Sequence, residues 1–171
     1  MAGKYDKILY DTAVLVTSGT PKEFSLFQVP VGADSSHDED ETNNPYNGQV
    51  ASEESMVIDK IEVHTAPDVT FADLQKIYKG AYLQIKVRDQ EVFHGPLAAL
   101  APANGFRGTQ TWASGTDSNG NSMVGTGYTL KNPIMIPGGA RFVVRLVQFT
   151  AVAAASNLRV VLHAQLERKE G

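Results

Sequence analysis

The stretch "NPIMIPGGARFVVRLVQF", residues 132–149, decides how this chain is read. It has the grammar of a hairpin: a short strand, a Pro-Gly-Gly turn and a long strand. The long strand, 141–149, is apolar on both faces. Phe142, Val144 and Leu146 point one way; Val143, Val147 and Phe149 point the other, with Arg141 and Arg145 among them. A strand on a half-solvated antiparallel sheet is polar on one side. Something should therefore cover the second face: more of this chain, a ligand, or another copy.

Working outward, the signals remain β. Residues 5–17 read as a strand or extended arm, in which Ile8, Tyr10, Val14 and Val16 alternate with Leu9, Ala13 and Leu15. Residues 24–29 form a second strand, ended by Pro30 and Gly32. In 56–65, Met56 and Ile58 have the opposite parity to Ile61 and Val63, which predicts a bulge at Asp59-Lys60. Residues 81–88 alternate, with Leu83, Ile85 and Val87 inward, and Asp89-Gln90 turn the chain into "EVFHG". Strands at 128–136, 141–149 and 157–168 follow. In the last, Leu158, Val160, Leu162, Ala164 and Leu166 face in, and Val161 breaks the polar outer face.

One helix is expected, over 71–79. Thr70 is a suitable N-cap, Asp73 suits the first turn, and Gly80 suits the stop. Phe71, Leu74, Ile77 and Tyr78 share one helical face. Two segments break the pattern. Residues 32–55 are acidic, with no Val, Ile, Leu, Met or Phe from Gly32 to Gln49, and are expected to be a long mobile loop. Residues 101–127 are rich in Gly, Ser, Asn and Thr around Trp112.

Seven or eight strands with one short helix predict an all-β sandwich or barrel. The long links suit Greek-key crossings, so a single jelly roll is the expected topology. A length of 171 residues fits one domain, with 1–17 as an arm or exchanged strand.

The composition narrows the function. The net charge is −4, with −5 in residues 1–50 and +1 in the rest, so there is no basic stripe for nucleic acid. No run reaches the ~18 apolar residues of a membrane-spanning helix, and no direct membrane insertion is expected. The opening "MAGKYDKILYD" lacks a signal-peptide pattern. There is no cysteine, hence no disulfide or thiolate chemistry.

No catalytic pattern in the chain is complete. The histidines, His37, His64, His94 and His163, form no His-x-His or His-x-x-x-His pair. Pro137-Gly138-Gly139 looks like the turn of a cupin metal motif, but Phe142 stands where a ligand histidine is needed. Ser114 precedes Gly115 in a turn-rich loop, not in a nucleophile elbow. Asp59 with Glu62, or Glu53 with Glu54, could serve as a glycosidase pair; outward-facing acids are the ordinary explanation. The run Asp38-Glu39-Asp40-Glu41 could attract calcium but lacks the EF-hand spacing. Trp112, Tyr128 and Phe106 could make a sugar platform, or simply pack. No metal, cofactor or catalysis is expected.

What remains is surplus apolar strand surface. Candidate self-association residues are Tyr5, Ile8, Leu9, Tyr10, Val14, Val143, Val147 and Phe149. The extended N-terminal stretch, the single helix and the closing "IMIPGGARFVVRLVQF…LRVVLHAQLER" together resemble a family. It is the small single-jelly-roll major capsid proteins of tailless icosahedral Thermus bacteriophages with an internal membrane. The resemblance implies a homodimeric shell protein, made in the host cytoplasm, that tiles a virion with a second, larger capsid protein. The alternative is a carbohydrate- or receptor-binding β-sandwich.

Overall fold

A computed structural model describes residues 3–66, 69–100 and 127–168. Its strands are β1 (Gly3–Leu15), β2 (Lys22–Leu26), β3 (Glu54–Thr65), β4 (Ala81–Val87), β5 (Gln90–Pro96), β6 (Tyr128–Ile136), β7 (Phe142–Gln148) and β8 (Ser156–Arg168). A helix, α1 (Phe71–Lys79), precedes β4. The strands form two antiparallel sheets. The first has the order β1-β8-β3-β6 and the second β2-β7-β4-β5. Only β4 and β5 are neighbours both in sequence and in a sheet.

That order corrects the hairpin reading of 132–149. β6 pairs with β3, through Met56↔Ile136 and Ile58↔Ile134, whereas β7 pairs with β2 and β4. The turn therefore carries the chain from one sheet to the other. It closes with the Ala140 N–H donating to the Pro137 carbonyl at 3.0 Å, and Gly139 sits at φ +73°. Gly138 is needed for space: a Cβ there would lie 2.4 Å from the Glu54 carbonyl oxygen. The sequence signals were turn signals, and a turn is indifferent to which sheet its far side joins.

The core is apolar and drawn from both sheets. Phe142, Val144 and Leu146 of β7 point inward, with Phe142 ringed by Phe27 and Tyr46 at centroid distances of 6.4 Å each. Burying each large apolar side chain contributes about 1.5–3 kcal/mol. The expected bulge in β3 is present, as a register shift between Ile58 and Lys60. It lets Met56, Ile58, Ile61 and Val63 all reach the core despite opposite parity. The helix has its expected bounds, and the Asp73 N–H donates to the Thr70 hydroxyl. The β4–β5 turn sits one residue earlier than expected, on Arg88 and Asp89, which both have positive φ.

Two buried carboxylates fasten loops. Asp73 is 3% exposed; it accepts from the Ala153 and Ala154 amides and from Lys76 Nζ at 2.8 Å. Asp11 is 5% exposed; it accepts from the Phe27 N–H at 2.5 Å, and Phe27 has φ +61°. A left-handed conformation is costly for a bulky residue, and Asp11 helps to hold it.

The acidic loop is expected from its composition to be loose, yet it is tied down by hydrogen bonds. It packs along the free edge of β1. Asn43 mimics a strand there: its Oδ1 accepts from the Tyr10 N–H, its N–H donates to the Tyr10 carbonyl, and its Nδ2 donates to the Ile8 carbonyl. Thr42 and Asn44 are fully buried. The loop is fixed by polar side chains that satisfy backbone groups, a mechanism that apolar periodicity does not register.

Candidate functional site

The expected association residues fall on different parts of this frame. On β1, odd-numbered positions from Leu9 onward face the core and even-numbered ones face out. Leu9 is fully buried and offers no surface, which corrects its candidacy. It shares a face with Ala13 and Leu15, so within one chain β1 is an edge strand of the sandwich, paired along its whole length with β8. Ile8 and Val14, each 53% exposed, lie on the outer face. Tyr5 is 44% exposed and reaches Glu54 with its hydroxyl, and Tyr10 is half-buried under Arg159, 4.7 Å from its ring.

On β7 the second face is covered in part by more of this chain, one of the three covers expected. Val147 is 8% exposed because its neighbours in register, Glu23 of β2 and Tyr82 of β4, flank it on the same sheet. It too offers little surface. Val143 is half-buried at the far end. Phe149 stays 53% exposed, with its ring 5.5 Å from Tyr82, and Tyr82 in turn lies 4.5 Å from His94.

The most organised polar group lies at the centre of the outer face of the first sheet. Lys60, Glu62 and His64 occupy alternate positions of β3, so they share that face. The β3–β8 register brings His163 opposite Lys60 and Val161 opposite Glu62. The Glu62 carboxylate meets Lys60 Nζ at 2.5 Å and His64 Nε2 at 3.0 Å. His163 Nε2 lies 3.1 Å from it, close enough for an ion pair but not aligned as a hydrogen bond. Gly127 closes over the group: a Cβ there would lie 2.5 Å from Glu62 Cγ. Burial pushes the Glu62 carboxyl up, but Lys60, His64 and His163 outweigh it and hold it below 4.5.

Beside this group runs a groove of about 440 Å³, lined by Ile8, Tyr10, Val161, Arg159 and His64 among others, with more apolar than polar wall. It is bounded past β1 by the acidic loop. Tyr10 and Thr12 donate their hydroxyls to the Glu39 and Glu41 carbonyls, and Arg159 bonds to the Asp40 carbonyl. The face thus runs from an acidic rim, through a partly apolar strip, to a centre of mixed charge around Glu62.

The other expected sites fare variously. Glu62 is ringed by cations and imidazoles, and Asp59 sits at the bulge, exposed. Glu54 accepts from the Tyr46 hydroxyl, and Glu53 from Ser52. Asp38 accepts from the Asp40 and Glu41 amides, so the acidic run forms its own turn. Among the described residues, no group of three or more His, Asp or Glu side chains is arranged to hold a metal ion. Nor is any helix among them long and apolar enough to cross a membrane. Tyr128 is 37% exposed, with Phe93 6.0 Å away; Trp112, Phe106 and Ser114 lie outside the described residues. The cluster around Glu62 was not foreseen as a unit. Its signal was the alternation of Lys60, Glu62 and His64; His163 has none in sequence.

No family model, curated protein or solved structure matches this chain.

Proposed function

We propose that this chain is a structural shell protein of the jelly-roll type, a viral capsid subunit. It associates with copies of itself and with a second capsid protein to tile an icosahedral shell. The strand order supports the jelly-roll reading: among the described residues, eight strands lie in two four-stranded sheets, and successive strands other than β4 and β5 lie in different sheets. The observation that carries the self-association reading is surface chemistry. Exposed apolar side chains stand on or beside both sheets: Ile8, Val14 and Met135 on the first, Val92 on the second and Phe149 just past the end of β7. Apolar groups left in water on sheet faces favour a partner.

The test is the mass of the protein in solution. Sedimentation velocity over micromolar to millimolar concentrations should show a dimer or larger species. A strict monomer throughout overturns the reading.

A second reading, carbohydrate binding, is favoured by one feature. Phe149, Tyr82 and His94 form a continuous ring surface beside the polar Gln84 and Arg145. A glycan array discriminates: binding that is lost in Phe149→Ala supports it, and no binding dismisses it.

A further inference from the structure

We infer that a pocket at one end of the outer face of the second sheet binds an acidic sugar, a carboxylate carried on a ring of hydroxyl groups. This rests neither on shell assembly nor on the ring surface of Phe149, Tyr82 and His94, with which the pocket shares no residue. Three observations lead to it.

The first is charge. The pocket holds about 400 Å³, near the low end of small-ligand sites at roughly 300–1,000 Å³. The charged residues of its wall are Lys86, Arg141 and Asp89, so it is net positive on a chain of net −4. Lys86 lies between the inward Ile85 and Val87 of β4 and so points outward. Among the described residues neither cation has an ion-pair partner. Glu91 stands opposite Lys86 in register but is engaged elsewhere. It accepts from Gln84 Nε2 and lies 3.6 Å from His94 Nδ1. An arginine fork matches a carboxylate with two bonds, and a lysine adds a point charge.

The second is a polar wall that is already fixed. Gln28 Nε2 donates to the Leu26 and Phe142 carbonyls at 3.2 and 2.9 Å. Its Oε1 rests on Gly48, where a Cβ would lie 2.4 Å away. Gln49 Nε2 donates to the Gly139 carbonyl at 2.7 Å, and Gln49 is bridged to Arg141 through the backbone. Groups held in advance lose little freedom on binding. Gln49 Oε1 and the Asp89 carboxylate remain as acceptors. A bare sulfate or phosphate accepts hydrogen bonds and is repelled by Asp89. A hydroxylated anion donates to it instead, and this difference favours an acidic sugar.

The third is the turn that supplies Asp89. Its two residues, Arg88 and Asp89, have φ of +50° and +65°. A two-residue turn of that shape favours Asn-Gly. This chain keeps a charged pair there, at a cost in backbone conformation, and such costs gather at binding sites.

The test is calorimetric titration of the full chain with glucuronic acid, with glucose and sulfate as controls. Glucose lacks the carboxylate and sulfate lacks the sugar hydroxyls. Glucuronic acid should bind about tenfold or more tightly than either, the worth of one charge-assisted hydrogen bond. Lys86→Gln with Arg141→Gln should weaken it by a similar factor at an unchanged melting temperature, because neither side chain bonds to the fold. Asp89→Asn places a residue that tolerates the left-handed turn and should narrow the preference over sulfate. Phe149→Ala should leave binding unchanged. No binding of glucuronic acid, equal binding of glucose or sulfate, or affinity that survives the glutamine pair overturns the inference. An unchanged preference in Asp89→Asn does the same. Loss of binding in Phe149→Ala also overturns it, and leaves sugar binding standing at the ring surface.

Discussion

The side-chain amide of Gln148 exchanges two hydrogen bonds with the backbone of Val16, 132 residues away. The Val16 N–H donates to Oε1 and Nε2 donates to the Val16 carbonyl, both at 2.9 Å. Nε2 also donates to the Thr150 carbonyl at 3.0 Å. Gln148 is 1% exposed and ends β7, whereas Val16 follows β1. One side chain thus forms a bridge between the ends of two sheets that share no strand.

Gln148→Ala should therefore destabilise the fold by about 1–2 kcal/mol, since it leaves the half-buried Val16 N–H without its acceptor, while the Val16 carbonyl keeps the Val152 N–H and Thr150 is exposed. Urea unfolding measures this. A cost under about 0.5 kcal/mol would mean that water replaces the amide.

The two glycines of the crossover should differ. Gly138→Ala forces a Cβ against the backbone oxygens of Glu54 and Ser52, at 2.4 and 2.5 Å, and backbone cannot swing aside. Gly139→Ala meets open space and bears only the left-handed conformation, about 1–2 kcal/mol. Gly138→Ala should be the more destabilising in thermal melts. The reverse order would show that β3 yields more easily than the turn.

The two buried aspartates should respond to pH with opposite slopes. In Asp73, burial raises the pKa, but Lys76 and the Ala153 and Ala154 amides outweigh it and hold it below 3.8. Its stabilisation is present above that value and is lost as pH falls through the folded pKa. Asp11 is pushed above 3.8 by burial, which exceeds the pull of its hydrogen bonds to Phe27, Thr12 and Thr42. Its contribution is full below 3.8 and is lost as pH rises through the folded pKa. Relative to wild type, Asp73→Asn should become worse as pH rises from acid toward 4. Asp11→Asn should improve as pH rises above 4. Urea titrations at several pH values test both, and parallel slopes would contradict the assignment.

Glu62→Gln keeps the shape of the central group but removes the charge facing Lys60 and the two imidazoles. The carboxylate is 12% exposed and Lys60 26%, so the pair is neither freely solvated nor dry. A cost of about 1–2 kcal/mol is expected, between those of exposed and buried pairs. An unchanged urea midpoint at pH 7 would show that the group has no net stabilising effect.

Much of the fold was legible because its signals are local. The helix was bounded by Thr70 and Gly80, and the β3 bulge was visible as a parity switch. The two-sided character of β1 appears in the structure as buried Leu9, Ala13 and Leu15 against exposed Ile8 and Val14. The acidic loop was misread because Asn43 and Thr42 act through hydrogen bonds to β1, which leave no periodic trace. The outward-facing residues of β1 were half legible. Alternation marked Ile8 and Val14, but alternation alone could not say that Leu9 is the inward partner.

The sequence by itself determined where the chain is extended, where it turns, and which residues alternate, because each depends on neighbours a few positions away. Only the tertiary structure decided which strands lie side by side. That choice sent residues 132–149 across two sheets instead of back along one, and it brought His163 to Glu62. It also set an acidic rim against an apolar strip. Those outcomes depend on pairing between residues about 80 to 150 apart, as in Met56↔Ile136, Glu62↔Val161 and Tyr10↔Val161. Such pairing is selected by the burial of a whole core, and no single segment carries it.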